Sequence, residues 1–153
     1  MADDIGNGWI AVLDEKNRLG FIDTLGNIRL PPQSEFYIDL SSDAKFEEER
    51  LIVRNKKKFG ILDKDLQWVV KPTYESISSF KNGWAVFNQG GKLEGGLGIL
   101  IGGKYGLIDR NGRFITEPVF EQVFYLGKEL AQVQIGSSKA YVDRQGKIVW
   151  RQR

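Results

Sequence analysis

The residues best placed to do chemistry are four aspartates, each ending a short apolar run: Leu19-Gly20-Phe21-Ile22-Asp23, Phe59-Gly60-Ile61-Leu62-Asp63, Tyr105-Gly106-Leu107-Ile108-Asp109 and Lys139-Ala140-Tyr141-Val142-Asp143. Carboxylates can serve as general acids, general bases or calcium ligands. Their local context argues for another role. Asp23-Thr24-Leu25-Gly26, Asp109-Arg110-Asn111-Gly112 and Asp143-Arg144-Gln145-Gly146 all read D-x-x-G. Aspartate at the first turn position accepts a bond from a backbone N–H two residues on, and glycine supplies a positive φ where the chain re-enters a strand. Asp63-Lys64-Asp65-Leu66 lacks the glycine, which predicts the least ideal of the four turns. Acids that each open their own turn lie one repeat apart. The expectation is no catalytic residue and no metal site.

Other candidates are weaker. Gly98-Ile99-Leu100-Ile101-Gly102-Gly103-Lys104 has phosphate-loop spacing, but Tyr105 stands where Ser or Thr would hold Mg²⁺, and a strand follows where a helix is needed. Arg54-Asn55-Lys56-Lys57-Lys58 is a basic run between two strands, expected as a solvated turn that could meet an acidic surface; Lys56 and Lys57 are its candidate contact residues. Glu47-Glu48-Glu49 lies just upstream and offsets that field. Trp9, Trp68, Trp84 and Trp150, with Tyr74, Phe80, Phe120 and Phe124, recur at matching positions and are expected mostly in a stacked core rather than on a sugar-binding surface.

Composition narrows the chemistry further. In 153 residues there is no cysteine and no histidine, which removes disulfides, thiol nucleophiles, thiolate metal sites and the commonest general base. Twenty-two Lys and Arg against 20 Asp and Glu leave a net charge of +2, too balanced to suggest a nucleic-acid partner. The apolar stretch around Ile99-Leu100-Ile101 is too short to span a bilayer, and Met1-Ala2-Asp3-Asp4 does not open like an export signal. The expectation is a soluble cytoplasmic chain with no membrane or nucleic-acid partner and no cofactor.

The elements that must position these residues follow from aligning the copies on aspartate. A first short strand precedes each one (Trp9–Leu13, Leu51–Val53, Trp84–Phe87, Leu130–Val133), the aspartate strand is second, and a third follows the turn (Asn27–Leu30, Trp68–Val70, Arg113–Thr116, Lys147–Trp150). These runs are short, rich in β-branched and aromatic residues and bounded by turn formers, which argues strands. The charged segment Ser42–Arg50 has room for one helical turn. Linkers Pro72-Thr73-Tyr74-Glu75 and Pro118-Val119-Phe120-Glu121 match; Pro32 to Ile38 is a looser version. Proline cannot donate into a ladder, so each linker leaves its sheet or runs along an edge.

Fixed-phase recurrence means one supersecondary unit copied and stacked. The expected fold is all-β: four tandem three-stranded antiparallel meanders in one domain spanning 1–153, with units at about 9–38, 50–80, 84–125 and 130–150, arranged as a curved solenoid-like array. A closed four-bladed propeller-like ring is the alternative. With four complete meanders and no half unit, the array is expected to be self-sufficient, its terminal meanders acting as caps. The insertion from Asn88 to Gly103 is expected as an extended hairpin with Gly90 to Gly96 as its tip.

The pattern G-[FLI]-[IL]-D, x-x-G-x-[IV], P-x-[YF]-E, then an aromatic and L-A-x-V resembles the WG (KWG) β-repeat, a family found mainly in bacteria. The resemblance runs from about Trp9 to Trp150. The namesake dipeptide appears here as Leu19-Gly20, Phe59-Gly60, Tyr105-Gly106 and Lys139-Ala140, the last having lost both residues. The resemblance implies an all-β interaction or scaffold module with no catalytic residue to carry over. The expected function is therefore non-enzymatic protein binding, with an inhibitor or immunity-type protein as its specific form. The candidate partner-binding residues are Gly91, Lys92, Leu93 and Glu94 on the insertion, since loops on rigid scaffolds commonly carry binding. A carbohydrate or cell-wall module using surface aromatics is the alternative.

Overall fold

The computed structural model describes residues 2–33, 45–55, 57–94 and 99–153. All regular structure among them is β, in antiparallel sheets, with no helix and no closed barrel. The chain divides into two compact units, Met1–Thr73 and Tyr74–Arg153.

In the first unit, β1 (Ala2–Gly6), β2 (Trp9–Leu13), β3 (Leu19–Asp23) and β4 (Ile28–Gln33) pair in chain order as sheet 1. β5 (Arg50–Asn55), β6 (Lys58–Asp63) and β7 (Trp68–Tyr74) form sheet 2. In the second unit, β8 (Ser76–Ile77) pairs with β9 (Trp84–Gln89). A two-stranded hairpin of β10 (Lys92–Glu94) and β11 (Ile99–Ile101) follows. Then come β12 (Lys104–Asp109) and β13 (Phe114–Phe120), and sheet 3 has the order β13-β12-β9-β8. β14 (Gln122–Leu126), β15 (Leu130–Ile135), β16 (Ser138–Asp143) and β17 (Ile148–Arg151) form sheet 4 in chain order.

Three of these sheets have four strands, where three-stranded meanders were expected. The residues after Pro72 and Pro118 supply the extra one in two of them: β8 pairs along β9, and β14 along β15. In sheet 1, β1 plays that part, so the first unit begins before Trp9. The turns that join this outer strand to the next carry their own signal. Asn7-Gly8 and Asn82-Gly83 have φ of 53° and 77°, and 55° and 82°, the two positive values a type I′ hairpin turn requires. Glu48 and Glu49 occupy the same place with φ of 50° and 62°, between reciprocal backbone bonds of Glu47 and Arg50. This tight turn replaces the helical turn expected within Ser42–Arg50; Ser42 to Ala44 lie outside the described residues. Pro32, Pro72 and Pro118 sit in β4, β7 and β13, each at the edge of its sheet, as a residue without a backbone donor requires.

Each unit buries one apolar seam between its two sheets. In the first, Ile5, Ala11, Leu19 and Phe21 of sheet 1 meet Leu51, Val53 and Leu62 of sheet 2. In the second, Trp84, Leu107 and Phe120 of sheet 3 meet Leu126, Ala131, Val133, Ala140 and Val142 of sheet 4. Alternation along a strand fixes the pattern. The residue after the repeat glycine (Phe21, Leu107) faces the later sheet, and the next one along (Leu62, Val142) faces the earlier sheet.

Candidate functional site

The aspartates shape corners. Asp23 Oδ1 accepts from the backbone N–H of Leu25 and Asn27, Asp63 from Asp65 and Gln67, Asp109 from Asn111 and Arg113, and Asp143 from Gln145 and Lys147, all between 2.8 and 3.0 Å. A carboxylate with one oxygen bonded to two amides of its own turn is fixed in place. The glycine position has φ of 85°, 76° and 82° in three copies; in the remaining one Leu66 is forced to 60°. A fifth turn of the same design joins β2 to β3: Asp14 Oδ1 accepts from Lys16 and Arg18, and Asn17 takes the left-handed position at φ 57°. Its signal, Asp14-Glu15-Lys16-Asn17, has asparagine where three of the others have glycine.

Asp23 and Asp65 line one open cleft of about 460 Å³ in the first unit, with Trp9, Arg29, Leu66 and Gln67 also in its wall. Two acids from different copies meeting in a cleft is the arrangement an enzyme would need. Here Asp23 is already committed. Asn27 Nδ2 donates to it, backbone amides hold it, and Arg29 Nε donates at 3.0 Å, so its carboxyl is held down at about 2. A group that stays ionised at neutral pH is no acid, and one so weakly basic is a poor base. The Trp9 indole N–H is used by the Lys64 carbonyl at 2.6 Å. Among the described residues no cluster of acids could hold a metal ion.

The insertion is a hairpin, as expected, but Lys92, Leu93 and Glu94 form one arm (β10) and not its tip. Lys92 pairs with Ile101, Leu93 with Leu100 and Glu94 with Ile99. Residues 95–98, which include Gly95 and Gly96 of the expected tip, lie outside the described residues. Register puts Lys92, Glu94, Ile99 and Ile101 on one face and Leu93 and Leu100 on the other. Ile99 and Ile101 are 55% and 51% exposed and Leu93 is 41% exposed. The root is locked. Fully buried Asn88 accepts from the Gly91 N–H at 3.1 Å and donates to the Gly102 carbonyl at 3.3 Å, and Glu75 accepts from Gly90 N–H. Gly91, expected at the binding surface, is buried beside Asn88, because a Cβ there would meet Asn88 Oδ1 at 2.6 Å. Lys104, the would-be phosphate-loop lysine, opens β12 and is ion-paired to Glu121.

Of the basic run, Lys57 is exposed in the β5–β6 turn and belongs to the first unit; Lys56 lies outside the described residues. The aromatics divide. Trp84, Tyr74, Phe80 and Phe120 are buried and Trp9 and Trp68 half-buried, whereas Phe124 and Trp150 are exposed. Trp150 belongs to a cross-strand row, Tyr125, Gln132, Tyr141 and Trp150, on the face of sheet 4 turned away from sheet 3. Gln132 donates to the Tyr141 hydroxyl at 3.0 Å, and the Tyr141 and Trp150 rings are 5.8 Å apart.

A family model described as the WG containing repeat matches residues 20–59, 59–92 and 105–137, more than half of the sequence. The chain belongs to the WG-repeat family. Among curated proteins none matches it. Its fold is similar to that of Hsv2p from Kluyveromyces lactis, with a TM-score of 0.50 at 13% identity over 94% of this chain and 47% of that one. It is also similar to a eukaryotic initiation factor, with a TM-score of 0.50 at 10% identity over 95% of this chain and 40% of that one. At these identities the likeness concerns fold alone, and the neighbours are β-propeller-like proteins. The chain spans less than half the length of either.

The WG-repeat glycine has a steric cause. A Cβ on Gly20 would stand 2.7 Å from Pro32 N, one on Gly60 2.6 Å from the Val70 carbonyl oxygen, and one on Gly106 2.6 Å from the Phe87 ring. The strand carrying the linker proline bulges against the second strand in sheets 1 and 3, where the register shifts at this point. In the fourth copy Gln152 stands at the position of the linker proline, and Ala140 stands at that of the glycine.

Proposed function

We propose that this WG-repeat protein is a non-enzymatic protein-binding module whose β10–β11 hairpin is the contact element. One observation carries the reading. Apolar Leu93, Ile99 and Ile101 are exposed on a hairpin whose root is fixed by buried Asn88. Solvent-exposed aliphatic side chains on a rigidly mounted projection suit a partner's apolar groove, and little ordering entropy is lost on docking. Lys92 and Glu94 flank them and set orientation. The specific form is an inhibitor or immunity-type protein whose hairpin enters the cleft of an enzyme or toxin in the cytoplasm. The commitment of all four repeat aspartates to turns, and of Asp23 to a low pKa, supports the absence of catalysis.

The test is capture of binding partners by the intact protein and by the L93S/I99S/I101S variant, identified by mass spectrometry. Loss of the captured partner with an unchanged melting temperature supports the reading; a partner retained by the variant overturns it. One observation favours a second reading, carbohydrate binding: the outer-face row of Tyr125, Gln132, Tyr141 and Trp150, with Tyr125 and Trp150 exposed and Gln132 and Tyr141 half-buried, offers rings for stacking and an amide for hydrogen bonding. Titration calorimetry with soluble oligosaccharides tests it, no heat above dilution removing it.

A further inference from the structure

Each unit has a corner where the turn entering one sheet meets the aspartate turn of the next. Asn7-Gly8-Trp9 in sheet 1 matches Asn82-Gly83-Trp84 in sheet 3, and Asp63-Lys64-Asp65-Leu66 in sheet 2 matches Asp143-Arg144-Gln145-Gly146 in sheet 4. In the second unit this corner holds a guanidinium. Arg144 Nη1 donates to the Asn82 carbonyl at 2.5 Å, and the Arg144 Cζ lies 4.4 Å from the Trp84 ring centroid. Its Nη2 takes the space over Gly83, where a Cβ would stand 2.9 Å away. One planar cation thus touches all three residues, giving a donor to the carbonyl and its face to the ring.

The first unit has the same corner with no cation of its own in it. Lys64 stands in the place of Arg144, but its side chain is exposed and does not line the corner, and its carbonyl accepts from the Trp9 indole N–H. The Trp84 N–H goes instead to the Gly127 carbonyl. Apart from its chain neighbours, nothing among the described residues comes within 4 Å of where a Gly8 Cβ would be. Asn7, Gly8 and Trp9 instead wall the open cleft of about 460 Å³. That volume lies within the roughly 300–1,000 Å³ of small-ligand sites.

The rest of the wall carries the complementary charge. Asp23 and Asp65 stand against one cation, Arg29, which donates through Nε and Nη2 to Asp23 Oδ2. Two carboxylates and one guanidinium leave the cleft negative. Backbone groups of Asp65 serve its turn, whereas its carboxylate has no hydrogen-bond or ion-pair partner among the described residues. The matching residue in the second unit, where the cation is built in, is neutral Gln145.

We propose that the cleft of the first unit binds a guanidinium group carried by a ligand, in the place that Arg144 fills in the second. The group donates to the Asn7 carbonyl and the Asp65 carboxylate and lies against the Trp9 ring over Gly8. A planar fork suits this set better than an ammonium, which is more strongly hydrated and does not stack. The ligand is either a free guanidino compound or an arginine side chain of a peptide. This inference uses neither the hairpin nor its partner.

Nitrogen-15 NMR of the intact protein, titrated with methylguanidinium chloride, tests it. The Gly8 amide and Trp9 indole signals should shift saturably, with methylammonium chloride binding more weakly. Asp65→Asn should weaken binding about tenfold, as loss of a charge-assisted partner implies. Lys64→Arg, which gives the turn the residue of the second unit, should weaken it by competing from within. The spectra show whether each variant is folded. Shifts that stay linear in concentration, an equal response to methylammonium, or full affinity in both folded variants overturn the proposal. Comparing N-acetyl-arginine amide with free L-arginine separates the sources. Tighter binding of the amide assigns a peptide side chain and tighter binding of free arginine a small guanidino compound, and either result supports the site.

Discussion

A carboxyl held at about 2 belongs to a turn. Asn27 contributes most to holding Asp23 there, ahead of the Asn27 and Leu25 amides and Arg29. A folded-state pKa below the ordinary aspartate value of 3.8 stabilises the protein above pH 3.8, and that contribution is lost as pH falls toward about 2. Carbon-detected NMR should therefore place the Asp23 midpoint near 2, and Asn27→Ala should move it toward 3.8; an unmoved midpoint would count against the assigned cause. Gly146 tolerates no side chain without strain. It sits at φ 82°, and a Cβ would lie inside van der Waals contact with the Ile115 carbonyl oxygen across the sheet 3–sheet 4 seam. Gly146→Ala should cost about 2–4 kcal/mol in denaturant unfolding, from backbone strain plus overpacking. The same change at Gly136, φ 58° but with open space around its Cβ, should cost only about 1–2 kcal/mol.

At the level of elements, the turn that enters each leading repeat strand sets how well its sheet is closed. Asn-Gly does this at Asn7-Gly8 and Asn82-Gly83, while Glu48-Glu49 must hold two positive φ values without either residue. Replacing the pair, E48N/E49G, should raise stability by about 1–2 kcal/mol, read as an upward shift in melting temperature. The hairpin depends on one buried amide. Asn88→Ala leaves the Gly91 N–H and Gly102 carbonyl without their side-chain partner, so amide exchange in β10 and β11 should accelerate while that in β15 and β16 stays unchanged. Equal acceleration in all four strands would show that Asn88 supports the unit and not the hairpin alone.

For the whole molecule, the tryptophans report which faces water reaches. Trp84 is fully buried and Trp150 is 52% exposed in the single chain. With Trp84→Phe and Trp150→Phe compared, acrylamide should quench mainly the Trp150 emission in dilute protein.

Much of this was legible in the residues. Recurrence of Asp with a fixed turn signal marked the strands, and glycine or its absence at Leu66 marked which turn would be strained. Proline marked the edges. These are local rules, decided within a few residues of backbone. The outer strand β1 escaped because its pairing partner lies across a turn that was not read as one, although Asn7-Gly8 announced it. The rest depended on distance in space. The clash that requires Gly20, Gly60 and Gly106 comes from a neighbouring strand ten or more residues away in the chain. Which faces are covered was settled by the stacking of sheets: Trp84 and Leu130 hold equivalent places in the repeat, and only packing makes one core and the other surface.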